Sequence, residues 1–597
     1  MDKAERRAIQ EKIDALPAGG ITVKTINGKK YPYLQWTENG KQRGRRVHED
    51  EYETLLSGIE ERKRLQAILR ESPQISKEDE PLRLASAYRT GEDLRAFIRP
   101  ALNFRKRDGY PVLRDYLYGD VPDKVFILYG LRRTGKTTLI RQTIAEMDDA
   151  MFRQTVFIQI TAQNNLAQLN QDLRQLEQQG YRYVFLDEVT LMEDFIQGAA
   201  LFSDVFAASG MKIVLSGTDS LGFVFTEDEQ LYDRCIMLHT TLIPYREFDR
   251  VLGIHGIDEY IRYGGTMSVG GVRYNEPTFA TKKSTDEYVD SAIARNIQHS
   301  LRYYQYGGHF RNLYALYEKN ELTSAINRII EDINHAFTLD VLTRRFRSHD
   351  LGVSAANLRR DRTAPSDILD RVDTEAITEQ LRQLLEIRNR EEQTVEITDA
   401  HRKEIKEYLD LLDLTFDIPI IHMTDFNQTD SRTVITQPGM RYSQAQALIS
   451  QLIQDDTFRN YDLTERNRAT ERILTEVKGR MMEDIVLLET QVAKPDSKVF
   501  HLQFAIGEFD MVIFHPETAS CEICEIKHST EAVPEQARHL LDEKKCAETA
   551  TRFGTITGKY VIYRGETQTV NGICYMNVEE YLSSICVPNP GKEVSQP

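Results

Sequence analysis

The sequence predicts a multidomain α/β protein, and three observations carry that reading. Short apolar runs, VFILYG at 125–130, TVFIQIT at 155–161, YVFLDE at 183–188 and KIVLSG at 212–217, alternate with helical stretches such as NNLAQLNQDLRQLEQQ. Buried strands alternating with helices specify a parallel sheet covered on both faces. A different α/β pattern starts near residue 471 and runs to 586. The chain has 597 residues, 41% hydrophobic and 28% charged, a globular composition long enough for several domains and incompatible with disorder over most of its length.

Taken in order, residues 1–70 hold a charged N-terminal helix, a β-meander and a second helix. The meander, ITVKTINGKKYPYLQWTENGKQRGRRV at 21–47, is divided by Asn27-Gly28 and Asn39-Gly40, two-residue hairpin signals. It carries Lys24, Lys29, Lys30, Lys41, Arg43, Arg45 and Arg46 against Glu38 alone, with Tyr31, Tyr33 and the single Trp36. Two readings stay open: a surface for nucleic acid, or a small solvated sheet whose aromatics form its core. A linker follows at 71–84, then the alternating unit at 85–250.

Residues 251–400 begin with a glycine-rich exit and continue as a helical region. Within it, 336–363 has the look of a helix–turn–helix, turning at Gly352 with Ser354 as cap. Its arginines Arg344, Arg345, Arg347, Arg359, Arg360 and Arg362 suit either DNA contact or packing against acidic neighbours. Residues 401–470 read as a helical connector, 471–586 as the second α/β unit, and 587–597 as a tail.

The net charge of −16 argues against a general polyanion binder, so any nucleic-acid contact rests on local basic patches. No apolar run reaches the length of a membrane span, and the N-terminus lacks a signal-peptide pattern; a cytoplasmic protein without membrane contact is expected. Six cysteines in such a chain do not form a disulfide framework. Cys521 and Cys524 form a CxxC, but on a strand residues three apart face opposite sides, which disfavours a shared zinc.

The chemistry is densest where an apolar strand runs into a helix. Gly130, Gly135, Lys136 and Thr137 fit G-x-x-x-x-G-K-[ST], a loop whose backbone N–H groups cradle phosphates. Arg132, Arg133, Thr134 and Thr138 belong to the same loop and helix start. Lys136 faces the β- and γ-phosphates of ATP, and Thr137 and Asp187 hold Mg²⁺. Glu188, next to Asp187, is placed to polarise the attacking water. Ser216 ends the next strand, either as a sensor of the γ-phosphate or as a helix-cap turn. Arg234 is a candidate arginine finger or a structural ion pair, with Arg132, Arg133 and Arg246 as rivals. An ATP hydrolase is expected, with homo-oligomerisation as an option.

In the C-terminal unit, Asp510 sits in one strand and Glu525 and Lys527 in the next. Residues two apart share a strand face, so a hairpin brings two carboxylates and a lysine together, a set suited to Mg²⁺ and an activated water.

These motifs resemble a known family. GLRRTGKTTL, FLDE, VLSGTDS, LIPYREF and the segment Tyr263-Gly264-Gly265 are similar to those of the archaeal-ATPase branch of AAA+-like and STAND-like P-loop ATPases. The resemblance covers about residues 100–586. It implies an ASCE-type sheet, in which the Ser216 strand lies between the phosphate-loop strand and the Asp187 strand. It also implies a winged-helix region and a C-terminal domain resembling PD-(D/E)XK (restriction-endonuclease-like) nucleases. On that resemblance Glu483 is the acid of the first nuclease helix, a metal ligand with Asp510 and Glu525. Gln536 corresponds to the helical glutamine, and Mg²⁺ or Mn²⁺ is the metal. The implied function is a Mg²⁺-dependent ATPase coupled to a nuclease-like domain acting on DNA, in mobile-element or defence settings. The alternative is a nucleotide-dependent regulatory switch with an inactive nuclease-fold binding domain.

Overall fold

The computed structural model describes the chain apart from residues 1–2, 27–28, 39–40, 72–81, 219–221, 224–230, 232, 268–277, 304–309, 357–396, 425–428, 455, 457–458, 460–461 and 586–597. The described residues divide into two compact units, one of residues 1–84 with 175–180 and one of residues 85–174 with 181–597.

The first unit contains the helix Lys3–Ala15, then β1 (Gly20–Ile26), β2 (Lys29–Glu38) and β3 (Lys41–Arg46), then the helix Tyr52–Glu71. The strands pair antiparallel in the order β1-β2-β3. Ile26 pairs with Lys29 and Glu38 with Lys41, the register that two-residue turns impose. The turn residues themselves lie outside the described residues, as does most of the expected linker. Leu34, Val47 and Ile59 form the core, with Ile21, Trp36, Tyr52 and Leu55 against it.

The second unit holds two sheets. The first comprises β4 (Ala87–Arg89), β5 (Val125–Tyr129), β6 (Thr155–Gln159), β7 (Tyr183–Asp187), β8 (Lys212–Gly217) and β9 (Cys235–His239), in the order β4-β6-β7-β8-β5-β9. All neighbours are parallel except the edge pair β4–β6. Strands β5 to β8 are almost wholly buried, because both faces are covered and no polar alternation is needed. The Ser216 strand β8 lies between β5 and β7, as the ASCE-type order requires. Sequence reading overlooked β4 and β9, each short and partly exposed.

Helices Lys282–Tyr288, Arg295–Tyr303, Arg311–Glu318, Leu322–Ala356 and Asp399–Leu411 follow, packed through Ile293, Ile297, Leu313, Ile326, Ile330, Tyr408 and Leu409. The turn expected at Gly352 is corrected: the helix Leu322–Ala356 runs through it. A single helix glycine costs only about 1 kcal/mol relative to alanine, which its neighbours absorb. Arg359, Arg360 and Arg362 lie outside the described residues.

The second sheet contains β10 (Thr415–His422), β11 (Thr429–Ile435), β12 (Lys498–Gln503), β13 (Glu508–His515), β14 (Ser520–Lys527), β15 (Thr555–Tyr563), β16 (Gln568–Val570) and β17 (Ile573–Asn577). Its order is β11-β10-β12-β13-β14-β15-β17-β16. The segment 401–470, expected to be a helical connector, therefore contributes a hairpin to this sheet. β10 carries Pro419, pairs with β12 over three positions only and is partly exposed, so its strand pattern is weak. Cys521 enters the core with Phe500 and Phe553, whereas Cys524 enters the one built with Met481 and Ile485 of the helix Leu463–Ala493. The two thiols face opposite sides of β14, as the strand periodicity predicts, and both are free.

Candidate functional site

The phosphate loop leaves β5 at Gly130 and enters the helix Lys136–Ala145. Gly130 has φ +139°, and a Cβ there would lie 2.7 Å from Thr240 Oγ1, so only glycine fits. Gly135 has φ +91° and Arg133 φ +65°, which curls the loop around its own N–H groups. Lys136 folds back over the loop, donating to the carbonyls of Gly130 at 2.8 Å and Leu131 at 2.9 Å. Burial lowers its pKa to about 8, partly opposed by Glu188 and Asp187. Thr137 and Thr138 sit beside it in the first helical turn, the position where helix N–H groups attract phosphate.

Because β8 separates β7 from β5, the ends of all three strands meet at this loop. Ser216 donates to Asp187 Oδ1 at 2.6 Å, and Thr137 donates to Asp187 Oδ2 at 3.4 Å. Thr137 and Asp187 thus present a hydroxyl and a buried carboxylate to one point, a donor set that fits a hydrated Mg²⁺. Ser216 orients that carboxylate rather than capping a helix. Glu188 has left-handed backbone, φ +60°, and Thr218 donates to its Oε2 at 3.3 Å. Burial raises the Glu188 pKa, with Lys136 opposing.

The loop rests on residues that sequence reading missed. Arg107 is buried and donates to the carbonyls of Thr134 at 2.6 Å, Thr240 at 2.9 Å and Leu242 at 3.0 Å. It is ion-paired to Glu247 at 2.6 Å, and Glu247 also accepts from the Asp108 N–H. Glu247 is the acid of the LIPYREF segment, so that motif secures the floor of the loop. Met267 N–H donates to the Arg133 carbonyl at 2.8 Å, and Arg133 itself reaches Thr278 at 3.1 Å. Arg132 is exposed. Arg234 is half-exposed, pairs with Asp204 at 2.7 Å and precedes β9. Its neighbour Cys235 pairs with Val125, the first residue of β5, so Arg234 lies at the opposite end of the sheet from its own phosphate loop. Arg246 is ion-paired to Asp108.

The second constellation lies on β13 and β14. Asp510 and Glu525 are buried, one position beyond the strand pair Met511↔Cys524. Lys527 Nζ is 2.7 Å from both Asp510 Oδ2 and Glu525 Oε2, and the Ile526 N–H donates to Asp510 Oδ2 at 2.7 Å. Burial works to raise the Asp510 pKa, but Lys527 and this N–H hold it below the usual range. Glu525 is pushed well up, by burial first and then by Asp510. Glu525 Oε1 is buried with no hydrogen-bond partner, an oxygen that a cation would satisfy. Lys527 keeps its proton strongly; the three acids Asp510, Glu525 and Glu483 outweigh its burial.

Glu483, on the helix Leu463–Ala493, bonds to Arg480 at 2.5 Å and feels the charges of Asp510 and Lys527. Burial raises its pKa to about 7. Among the described residues no group of three or more His, Cys, Asp or Glu side chains is disposed to hold a metal. Asp510 and Glu525 are the carboxylates that share Lys527, and Glu483 acts on them through its charge. Gln536 does not join them: it lies in the short turn Pro534–Ala537, donates to the Glu531 carbonyl at 3.1 Å and accepts from the Val533 N–H at 3.2 Å.

The segment 257–267 reaches both neighbourhoods, one through Asp258 and the other through Met267. Ile257–Tyr263 carries Asp258, which contacts His528 at 2.8 Å, Arg564 at 3.1 Å and Lys478 at 3.5 Å. These cations outweigh burial and hold Asp258 at about 2. His528 follows Lys527 directly, and four residues beyond Tyr263, Met267 bonds to the phosphate loop. An acid in helix Ile257–Tyr263 gives no sequence signal of its own, because its partners lie more than 200 residues away.

Residues 122–249 match the family model described as an AAA domain, and residues 2–57 match one described as a domain of unknown function (DUF6788). No curated protein matches. Among solved structures, the Aeropyrum pernix Orc1 protein, determined in complex with DNA, aligns at 13% identity. That alignment covers 60% of this chain and 94% of the other, with a TM-score of 0.19. The AAA-type P-loop core is supported by the family match together with the loop and strand order. Among the described residues no helix is long and apolar enough to cross a membrane.

Proposed function

We propose that the chain is a Mg²⁺-dependent ATP hydrolase whose nucleotide state governs a second centre, at Asp510, Glu525 and Lys527, that cleaves phosphodiester bonds in DNA. The observation that carries the second half is Lys527 Nζ lying 2.7 Å from each carboxylate, beside an unsatisfied Glu525 oxygen. In the first centre Lys136 binds the phosphates, Asp187 and Thr137 hold the cation, and Glu188 takes a proton from water. Mg²⁺ held there would supply positive charge against the charge that develops on the phosphates. In the second centre Asp510 and Glu525 hold Mg²⁺ or Mn²⁺, which supplies Lewis acidity, while Lys527 orients water and the scissile phosphate. The helix bearing Asp258 supports communication between them. A mobile-element or defence role fits this architecture.

The absence of a three-ligand metal group among the described residues favours a second reading: a nucleotide-dependent switch in which Lys527 neutralises the acids and the domain only binds. Incubating supercoiled, linear and single-stranded DNA with Mg²⁺ or Mn²⁺, with and without ATP, tests the choice. Metal-dependent cleavage supports the enzyme; intact DNA under every condition supports the switch.

A further inference from the structure

We propose that the outer face of the N-terminal meander is a binding site for single-stranded nucleic acid, read by base stacking on Tyr31 and Tyr33. The meander is a thin sheet with two unlike faces. Leu34, Ile21 and Trp36 point to the core with Val47 and Ile59. Strand alternation then places Tyr31, Tyr33 and Gln35 of β2 on the other face. The pairings Lys24↔Tyr31, Thr22↔Tyr33 and Tyr33↔Arg46 add Thr22, Lys24 and Arg46 to that face, and Lys29 shares it by its spacing from Tyr31.

The arrangement is diagonal. Arg46 lies 4.0 Å over the ring of Tyr31, and Lys24 lies 5.0 Å from the centroid of Tyr33. Two half-exposed rings two residues apart are thus bracketed by exposed cations. Glu51 is taken by Arg45 at 2.6 Å. Among the described residues, the charged side chains that the register places on the outer face, Lys24, Lys29 and Arg46, are cations. That charge, in a protein of net charge −16, complements a polyanion. The two rings select a polyanion with free π-faces: stacked duplex bases are inaccessible, whereas unpaired bases lie on aromatic rings while Lys and Arg take the phosphates. This reading is independent of the cleavage proposed for Asp510.

The test is fluorescence anisotropy of labelled oligothymidylate and oligouridylate with the full chain, without divalent metal, over a salt series. Heparin serves as a polyanion lacking bases. Tyr31→Leu with Tyr33→Leu is expected to weaken binding of either oligonucleotide at least about fivefold per ring. Tyr31→Phe with Tyr33→Phe keeps the π-faces and the affinity. Lys24→Gln with Arg46→Gln is expected to flatten the slope of log affinity against log salt by about 0.7 per cation. Fluorescence of the single Trp36, which packs against the meander's own core, checks that the unit carrying each substitution is folded. The proposal is overturned if both Leu and Gln variants bind like wild type, if the Phe variant loses as much as the Leu variant, or if heparin binds as tightly as the oligonucleotides.

Discussion

The phosphate loop and the carboxylate–lysine centre are built by opposite means. The loop is a backbone device: Gly130, Arg133 and Gly135 take positive φ, and the groups aimed at phosphate are N–H dipoles on one continuous segment. The other centre is a side-chain device, in which Asp510 and Lys527 are held by mutual charge across two strands. A backbone site keeps its shape when a neighbour is lost. A site of buried charges does not, because each charge is balanced only by the others. Single substitutions should therefore act locally in the first and collectively in the second.

The largest expected effects fall on the groups that touch the reacting phosphates. Lys136→Ala should abolish ATP binding, seen as loss of nucleotide-induced thermal shift. Glu188→Gln should keep ATP binding but lower turnover by about 10²- to 10⁴-fold, since an amide cannot accept the proton. Wild-type turnover by that variant would remove Glu188 from the role of base.

Next comes the floor of the loop. Arg107→Ala strands Glu247 as a buried unpaired acid and is expected to destabilise the fold by about 3–5 kcal/mol. A thermal midpoint close to wild type would show that the pair is dispensable.

A smaller effect should separate the two centres by pH. Burial raises Glu483 to about 7 and Glu525 well above the usual range, whereas Asp510 is held below it. Protons compete with the cation at both raised acids, so metal affinity and any cleavage should rise as pH increases through and above about 7, while Glu483→Gln should remove the part of the rise near 7. ATP hydrolysis at saturating nucleotide should not share this Glu483 dependence. Smallest is the link between the centres: Asp258→Asn should leave ATP turnover intact and reduce the influence of ATP on cleavage, measured as the ratio of rates with and without nucleotide.

The same contrast explains what could be read from the chain. The loop and Asp187 were legible because a contiguous motif and a buried strand run encode them, whereas the position of β8 followed from the family resemblance, since apolar runs do not encode strand order. Glu525 and Lys527 were legible through their two-residue spacing on one strand, and Asp510 through the hairpin that joins its strand to theirs. Arg107 and Asp258 were not, since their partners lie far along the chain and neither type of residue marks burial. Gln536 was expected beside the carboxylates, but order along the chain does not say that its amide is spent on the Val533 N–H and the Glu531 carbonyl. The meander's hairpins were visible in Asn-Gly pairs, but which tyrosines share a face with Lys24 and Arg46 required the register.

The most direct measurement is to follow DNA cleavage and ATP hydrolysis on the same preparations of wild type and Asp510→Ala. The account predicts metal-dependent cleavage by wild type, none by Asp510→Ala, and equal ATP hydrolysis by both. Cleavage by Asp510→Ala at the wild-type rate, or no cleavage by wild type with either metal and with or without ATP, would contradict it.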